Sequence, residues 1–192
     1  MKYGNLTLGQ IEAIVNKLGG EEGANRFLRD ERKVVDIVAE KILRLRKDEI
    51  IIPATTESFV FAKNFIVASS DVGVKISWID PDIKRWGMDR AIARRVRYDL
   101  SCYVLTKDAP LSAMVEELIS GYEVDFAAIF YLMNQQPNGE KGLLSLERWN
   151  LFFVDGRAVD VRWDGDGWRV RAFEVSDPYG WCAGYQVFSR NS

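Results

Sequence analysis

The chain is predicted to be an α+β protein, with an N-terminal helical hairpin followed by a largely antiparallel sheet that helices cover on one face. Helix-like and strand-like runs are segregated along the chain, and hairpin turns join the last strands, whereas a parallel α/β fold would alternate helix and strand. Hydrophobic residues make up 47% of the 192 residues, enough to bury a core. We therefore divide the chain into a helical segment, residues 1–48, and an α+β body, residues 49–192.

The C-terminal stretch 149–175 predicts three antiparallel strands. Its first two apolar runs are separated by Asp155-Gly156, and Asp-Gly favours a type I′ hairpin turn, in which both central residues have positive φ. The sequence DGDG at 164–167 separates the second run from the third. A fourth strand at 185–188 is expected to close a C-terminal β-meander. The register implied by the two turns gives the facing pairs Val154/Arg157, Phe152/Val159, Asn150/Val161, Val161/Val170, Trp163/Trp168, Arg162/Arg169 and Asp160/Arg171.

Alternation of side chains along these strands predicts two unlike faces. The apolar face, expected to be core, carries Phe152, Val159, Val161, Trp163, Trp168, Val170 and Ala172. The other face sets Trp149, Arg162 and Arg169 in one row, and like charges directly opposite each other in a sheet are unfavourable. The arginines therefore need full solvation, a nearby carboxylate, or an anionic or aromatic partner, and Trp149 can supply a cation–π contact. Solvated arginines on an open sheet face are one interpretation, and a binding site at Trp149, Arg162 and Arg169 is the other.

The N-terminal segment is predicted to be helical. Thr7 is expected to cap a first helix, which Gly19-Gly20 ends, and a second helix is expected to begin at Glu21. Two short helices around a glycine turn resemble a DNA-binding helix-turn-helix, but the acidic start of the second helix would repel phosphate. Residues 34–45 have the spacing of a further amphipathic helix, and a buried strand is expected from Ile50.

A basic stretch supplies the second candidate surface. Asp80 is expected to be the N-cap and Pro81 the first residue of a helix that continues to residue 97. On that helix Arg90, Arg94 and Arg97 share one face, at spacing i, i+4, i+7, which suits a phosphate backbone or an acidic partner. Acidic residues lie among them, so a solvated, salt-bridged helix face is the alternative interpretation.

The composition removes several kinds of chemistry. The chain has no histidine, which excludes Ser-His-Asp and Cys-His nucleophile activation and most catalytic zinc sites. Cys102 and Cys182 make no disulfide framework and are expected to be buried thiols. The DGDG loop fails the EF-hand pattern, because Arg169 stands where a calcium loop requires glycine. We expect no catalytic motif, no cofactor and no metal.

Charge and hydropathy bear on location and partners. The formal net charge is −2, so no overall field attracts nucleic acid or an anionic membrane. No apolar run is long enough to span a bilayer, and the first residues lack a secretory apolar region, so a cytoplasmic protein is expected. The oligomeric state stays open.

Four segments carry a resemblance to other sequences. They are NKLGGEEGANRFLR at 16–29, VKISWID at 74–80, RWDGDGWRVRAF at 162–173 and VFSRNS at 187–192. With these segments the chain resembles a large group of uncharacterised bacterial proteins, many of them from uncultivated lineages. The resemblance implies no activity, ligand or catalytic residue, so no functional residue is carried over from it.

The sequence therefore favours a non-enzymatic interaction protein. The expected partner is a protein or another anionic group, bound by Trp149, Arg162 and Arg169 or by the face with Arg90, Arg94 and Arg97. A carboxylate-dependent hydrolase with a cleft between helices and sheet is the first alternative, because carboxylates are the acid–base groups that remain. Nucleic-acid binding through residues 90–97 is the second. A convergent cluster of buried carboxylates would favour the enzyme.

Overall fold

A computed structural model of the chain describes residues 7–28, 41–67, 73–87, 90–92, 96–118, 120–178 and 180–191. The chain divides into two compact units, Met1–Lys41 and Ile42–Ser192. The division lies before the predicted boundary at residues 48 and 49, because the residues after Lys41 join the sheet of the second unit.

The first unit contains a helical hairpin, α1 (Leu8–Lys17) and α2 (Gly20–Leu28). Thr7 caps α1 as predicted: the Gln10 backbone N–H donates to its hydroxyl at 3.3 Å, and its own N–H donates to the Gln10 side chain at 2.9 Å. This reciprocal capping box satisfies N–H groups that have no partner inside the helix. Gly19 follows with a φ of +91°, a conformation that glycine adopts readily at a helix end.

The second unit contains the remaining elements. Its helices are α3 (Phe61–Asn64), α4 (Pro81–Gly87), α5 (Leu111–Glu117) and α6 (Phe126–Asn134). Its strands are β1 (Leu43–Ile52), β2 (Phe59–Val60), β3 (Ile76–Ile79), β4 (Ala91–Ile92), β5 (Tyr98–Leu105), β6 (Ala109–Pro110), β7 (Asn150–Val154), β8 (Arg157–Trp163), β9 (Trp168–Glu174), β10 (Gly180–Trp181) and β11 (Gln186–Arg190).

The main sheet has seven strands in the order β1-β5-β11-β7-β8-β9-β3. It is mostly antiparallel, and only the pairs β11·β7 and β3·β9 are parallel. The prediction of an α+β fold with a largely antiparallel sheet is confirmed at this level. β2 pairs with β4 and β6 with β10 in two small separate sheets.

The hairpin register of β7, β8 and β9 is as predicted. Asp155 and Gly156 have φ values of 45° and 76°, the positive values that a type I′ turn requires. Asn150 faces Val161, and Trp163 faces Trp168. The predicted fourth strand of the meander is wrong in position: β11 lies between β5 and β7, because β3 occupies the free edge of β9.

The sheet packs helices on both faces, whereas the sequence predicted one covered face. On the first face, α3, α4 and α6 pack with Phe152, Val161 and Trp168 in one core cluster. On the second face, α5 and the β6–β10 pair pack with Leu151 and Phe153 in another. The second face is therefore not open along its length, because its apolar end needs a cover as much as the first face does.

Two predicted helices are wrong where the structure describes them. The helix expected at 34–45 falls partly outside the described residues, and from Leu43 the chain is strand β1, paired with β5. The Glu117 carboxylate fixes the start of this strand by accepting from the N–H groups of Ile42 and Leu43, at 2.7 and 3.0 Å. Pairing with a neighbouring strand outweighs the weak helical preference of this segment.

The helix from Asp80 begins as predicted but ends at Gly87. The Asp80 carboxylate accepts from the Asp82 N–H at 2.8 Å, as an N-cap does. Gly87 lies against Phe61, where a Cβ atom would meet the aromatic ring at 2.9 Å, and the chain then turns so that β4 pairs with β2. The helix thus ends before Arg90.

Candidate functional site

The second face of the sheet brings together the predicted row of Trp149, Arg162 and Arg169. Arg162 and Arg169 face each other across β8 and β9. The Cζ of Arg162 lies 5.0 Å from the centre of the Trp149 ring, and the Cζ of Arg169 lies 5.0 Å from the Trp78 ring. Each arginine of the like-charged pair is therefore stacked on its own tryptophan, which offsets part of the repulsion between them. We call Trp149, Arg162, Arg169 and the neighbouring Arg171 the arginine surface.

Arg171 is paired with a buried carboxylate. Its Nε and Nη2 donate to the two oxygens of Asp160, at 3.2 and 2.8 Å, and its Cζ lies 3.8 Å from the Trp149 ring. Asp160 is 0% exposed. Burial raises the pKa of the Asp160 carboxyl from its usual 3.8 to about 6, although the hydrogen bond and charge of Arg171 act in the opposite direction. Asp160 and Arg171 thus form a charge pair that is complete within the fold.

Arg169 also has a carboxylate partner. Its Nη1 lies 2.9 Å from Asp164, the first residue of the DGDG turn. Both side chains are roughly two-fifths exposed, so this pair contributes on the order of 0–1 kcal/mol to stability. The pair nevertheless neutralises the charge of Arg169 at the edge of the arginine surface.

Arg162 differs from its two neighbours. In the part of the chain that the structure describes, its guanidinium has no ion pair and its Nη groups make no hydrogen bond, while its Nε is buried without a partner, as is the Nε of Arg169. Asp80 lies near enough to raise the pKa of Asp160, but its carboxylate accepts from the Asp82 backbone. A buried donor without a partner is destabilising by about 1–3 kcal/mol. Arg162 is therefore a half-buried cation with unused hydrogen-bonding capacity.

Tyr185 and Arg148 extend the positive region beside Arg162. Burial raises the pKa of the Tyr185 phenol, while the positive charges of Arg148 and Arg162 act to lower it. Arg148 is exposed and, like Arg162, has no carboxylate partner within the described ranges. Two cations without ion pairs among the described residues thus lie near enough to act on the charge of a phenol that can also donate a hydrogen bond.

The helical face predicted for the second surface is not found among the described residues. Arg90 lies after the end of α4, where it pairs with Asp155 and stacks on Trp86 with its Cζ 5.1 Å from the ring centre. Arg97 precedes β5 and lies 3.9 Å from Asp99. Arg94 is outside the described residues. The shared helical face of Arg90, Arg94 and Arg97 is wrong, because the helix ends at Gly87.

Carboxylates do not converge on a cleft at this site. Asp160 is sealed from solvent, and both its oxygens are held by Arg171. Within the ranges that the structure describes, there is no group of three or more acidic or cysteine side chains that could hold a metal ion. Cys102 is buried as expected, and burial raises the pKa of its thiol to about 12, but Cys182 is exposed, contrary to the expectation for it. The geometry suits binding of an anion better than proton transfer.

Sequence reasoning missed several neighbours of the site. The facing of Asp160 and Arg171 followed from the register, but their pairing as a buried charge pair did not. Trp78 reaches Arg169 through the parallel pairing of β3 with β9, which no local sequence signal indicates. Tyr185 lies just before β11, next to β7. The sequence indicated an aromatic residue, Trp149, beside the predicted arginine row. That signal does not specify the strand order that brings Trp78 and Tyr185 to the site.

Comparisons of the chain with known protein families, with curated proteins and with solved structures found no match. Among the described residues, no helix has the length and apolar character needed to cross a bilayer. Function is therefore inferred from the residues of the arginine surface and their geometry.

Proposed function

We propose that this chain is a non-enzymatic interaction protein whose arginine surface binds a carboxylate group of an acidic segment in a partner protein. The observation that carries this proposal is the state of Arg162, a half-buried arginine that has no ion pair among the described residues and whose Nη groups make no hydrogen bond there. The neighbouring Arg169 and Arg171 each have their own aspartate. Arg162 is thus the arginine of this surface whose charge no described carboxylate neutralises.

The surroundings of Arg162 favour recognition of a carboxylate. A guanidinium donates from several N–H groups in a plane, and a carboxylate accepts two of them at once. Trp149 holds the guanidinium from one side by stacking, which reduces the side-chain entropy lost on binding. Tyr185 and Arg148 are placed to contact groups next to the bound carboxylate.

A protein partner fits this surface better than nucleic acid. Aromatic residues and arginine are enriched in protein interfaces, and they supply most of the binding energy there. Nucleic acid requires several cations that follow a phosphate backbone, and the helix that was expected to supply them ends at Gly87. The chain as a whole is slightly acidic, with a formal net charge of −2.

The test is affinity capture from extracts of the native host, with proteins quantified by mass spectrometry. The full chain, the variant Arg162→Gln and the control Arg85→Gln serve as baits. Arg85 is an exposed arginine of α4 whose side chain is 80% accessible, so its change removes the same charge from a different surface. We expect a partner that is retained by the wild type and by Arg85→Gln and is lost with Arg162→Gln.

The captured partner is then produced pure, and its acidic segment is tested by calorimetry against the same three baits. Replacing the acidic residues of the segment by their amides is expected to reduce affinity as much as Arg162→Gln does. The proposal fails if Arg162→Gln retains every protein that the wild type retains. It also fails if the captured ligand is nucleic acid that nuclease treatment removes.

A further inference from the structure

A second, separate site lies on the first face of the sheet, under the connection between α6 and β7. Residues 135–149 form neither helix nor strand. Connections longer than about 12–15 residues without secondary structure are uncommon in compact domains, and ordered ones are often functional. Residues 141, 142 and 144–147 of the connection line a pocket of about 550 Å³, together with residues of β1, β5 and β11.

Buried amides hold this connection in place. The Gln136 side chain donates to the carbonyl groups of Glu140 and Leu144 and accepts from the Leu144 N–H at 2.8 Å. The Asn150 side chain accepts from the Ser145 N–H at 2.7 Å and donates to the Ser145 carbonyl at 2.9 Å. These contacts satisfy the backbone of a segment that lacks secondary structure, so the pocket wall is built before any ligand arrives.

Gln186 is a third buried amide, and it is not fully used. Its side chain is 3% exposed and lines the pocket. Its Oε1 accepts from the Ser145 N–H at 3.2 Å, which sets the orientation of the amide, because only the oxygen can accept. The Nε2 has no hydrogen-bond partner in the described part of the chain and is not among its sealed unpartnered atoms. The amide nitrogen therefore presents its N–H groups to the pocket.

The charges around the pocket are positive on balance. Arg46 and Lys141 line it, and neither makes an ion pair with a described residue. Glu147 also lines it and supplies the one carboxylate of the lining. Two cations and one anion give the lining a net positive charge of one, which a bound monoanion would neutralise. Val104, Leu144 and Leu146 form an apolar wall beside these groups.

We infer that this pocket binds a small carboxylic acid with an aliphatic body. The carboxylate is expected to accept from the Gln186 amide nitrogen and to lie near Arg46, while the aliphatic body packs on the apolar wall. A single carboxylate matches the net charge of the lining, whereas a phosphate dianion would exceed that charge and would be repelled by the carboxylate of Glu147. A pocket of about 550 Å³ has the size of ordinary small-molecule sites.

The experiment is a calorimetric titration of the full chain with octanoate, with octanol and inorganic phosphate as the neutral and the dianionic comparison. We expect octanoate to bind saturably at one site and the other two to bind much more weakly. Arg46→Gln is expected to weaken octanoate binding about tenfold or more, since a hydrogen bond to a charged group contributes on that order. Arg46→Lys, which keeps the charge, should recover part of the affinity.

Gln186→Glu is the sharper variant, because it keeps the acceptor for the Ser145 N–H and replaces the free donor by an anionic oxygen. Octanoate binding is expected to be lost in it, and Arg46→Gln keeps the test decisive if this buried change unfolds the chain. Arg85→Gln, which removes an exposed arginine outside both binding surfaces, is the control and should bind octanoate as the wild type does. The inference is overturned by equal binding of octanol, by binding of phosphate in place of octanoate, by wild-type affinity in Arg46→Gln, or by the absence of saturable octanoate binding.

Discussion

The three strands β7 to β9 present two faces that differ in the polarity and the burial of their side chains. On the first face Phe152, Val159, Val161, Trp168 and Val170 are all 0% exposed and pack under helices. On the second face, Arg162, Arg169 and Arg171 are half-buried beside Trp149, and only Asp160 among the charged groups is sealed. Adjacent residues in one strand therefore lie in different environments, one apolar and one charged.

The two faces contribute differently to the stability of the fold. The first face is stabilised by removal of apolar surface from water, at about 25 cal/mol per Å². The arginine surface on the second face holds cations by stacking and pairing, which stabilises little, because desolvation of charges opposes their attraction. The apolar end of that face, with Leu151 and Phe153, is buried as the first face is. A like-charged arginine pair that contributes little to stability is the feature of the second face that binding explains best.

The largest effect is expected on the first face. Trp168→Ala removes a fully buried ring and the hydrogen bond from its Nε1 to the Gln136 carbonyl at 3.0 Å, and should destabilise the protein by about 3–5 kcal/mol. Denaturant unfolding measures this loss. Trp163→Ala, at the half-buried neighbour, is the matched comparison and should have a smaller effect. A harmless Trp168→Ala would mean that the faces are assigned in reverse.

On the second face, the largest effect should come from Arg171. Arg171→Leu leaves the Asp160 carboxylate buried without its cation and is expected to destabilise the protein by about 3–4 kcal/mol at neutral pH. The double variant Asp160→Asn/Arg171→Leu should recover much of this loss, because no buried charge remains. If Arg171→Leu unfolds at the wild-type denaturant concentration, the pair is open to water and the assignment of Asp160 as sealed is wrong.

The pH dependence of stability should report on Asp160. Its pKa is raised in the folded state, from 3.8 to about 6, so the folded state holds the proton more tightly than the unfolded state does. The stability that this protonation contributes is fully present below about pH 4 and is lost as pH rises through about 6. Relative to Asp160→Asn, the wild type should lose up to about 3 kcal/mol over this range. Parallel stability curves for the two proteins would contradict the raised pKa.

Arg162 should have the smallest effect on stability. Arg162→Ala removes the like-charge contact with Arg169 and a half-buried donor that lacks a partner, while Trp149 keeps its contact with Arg171. Loss of the Arg162–Trp149 stacking opposes the relief of the unpartnered donor, so the free energy of unfolding is expected to stay nearly unchanged or to rise by roughly 1 kcal/mol. Thermal unfolding monitored by circular dichroism gives this value. A loss as large as that of Trp168→Ala would make Arg162 a structural residue and remove the contrast between the faces.

What the sequence predicted correctly depends on local chemistry. The Asp155-Gly156 turn fixes its own positive φ values, and the alternation of side chains then places Arg162 opposite Arg169 without any knowledge of the remaining fold. Local turn chemistry therefore determined both the register of β7 to β9 and the core of the candidate site.

What the sequence did not predict depends on contacts between distant segments. The helix from Asp80 ends at Gly87, beyond which β4 pairs with β2, and β11 lies beside β7 because β3 occupies the edge of β9. The pocket beside the 135–149 connection is formed by residues of that connection together with residues of β1, β5 and β11. Periodicity in one stretch of chain carries no information about contacts between distant segments. The sequence therefore did not identify Gln186 and Tyr185 as candidate site residues.

The most direct test of the contrast is the nuclear magnetic resonance signal of the arginine Nε–Hε groups during titration with a short peptide of alternating glutamate and leucine. The Arg162 signal, assigned by its loss in Arg162→Gln, is expected to shift and saturate, because a carboxylate bound at the Nη groups changes the environment of the whole guanidinium. The Arg171 signal should stay in place, since Asp160 already occupies that guanidinium. The corresponding glutamine peptide should leave both unchanged. An Arg162 signal that does not move, or that moves no more than that of the exposed Arg85, would contradict the assignment of the arginine surface as a carboxylate-binding site.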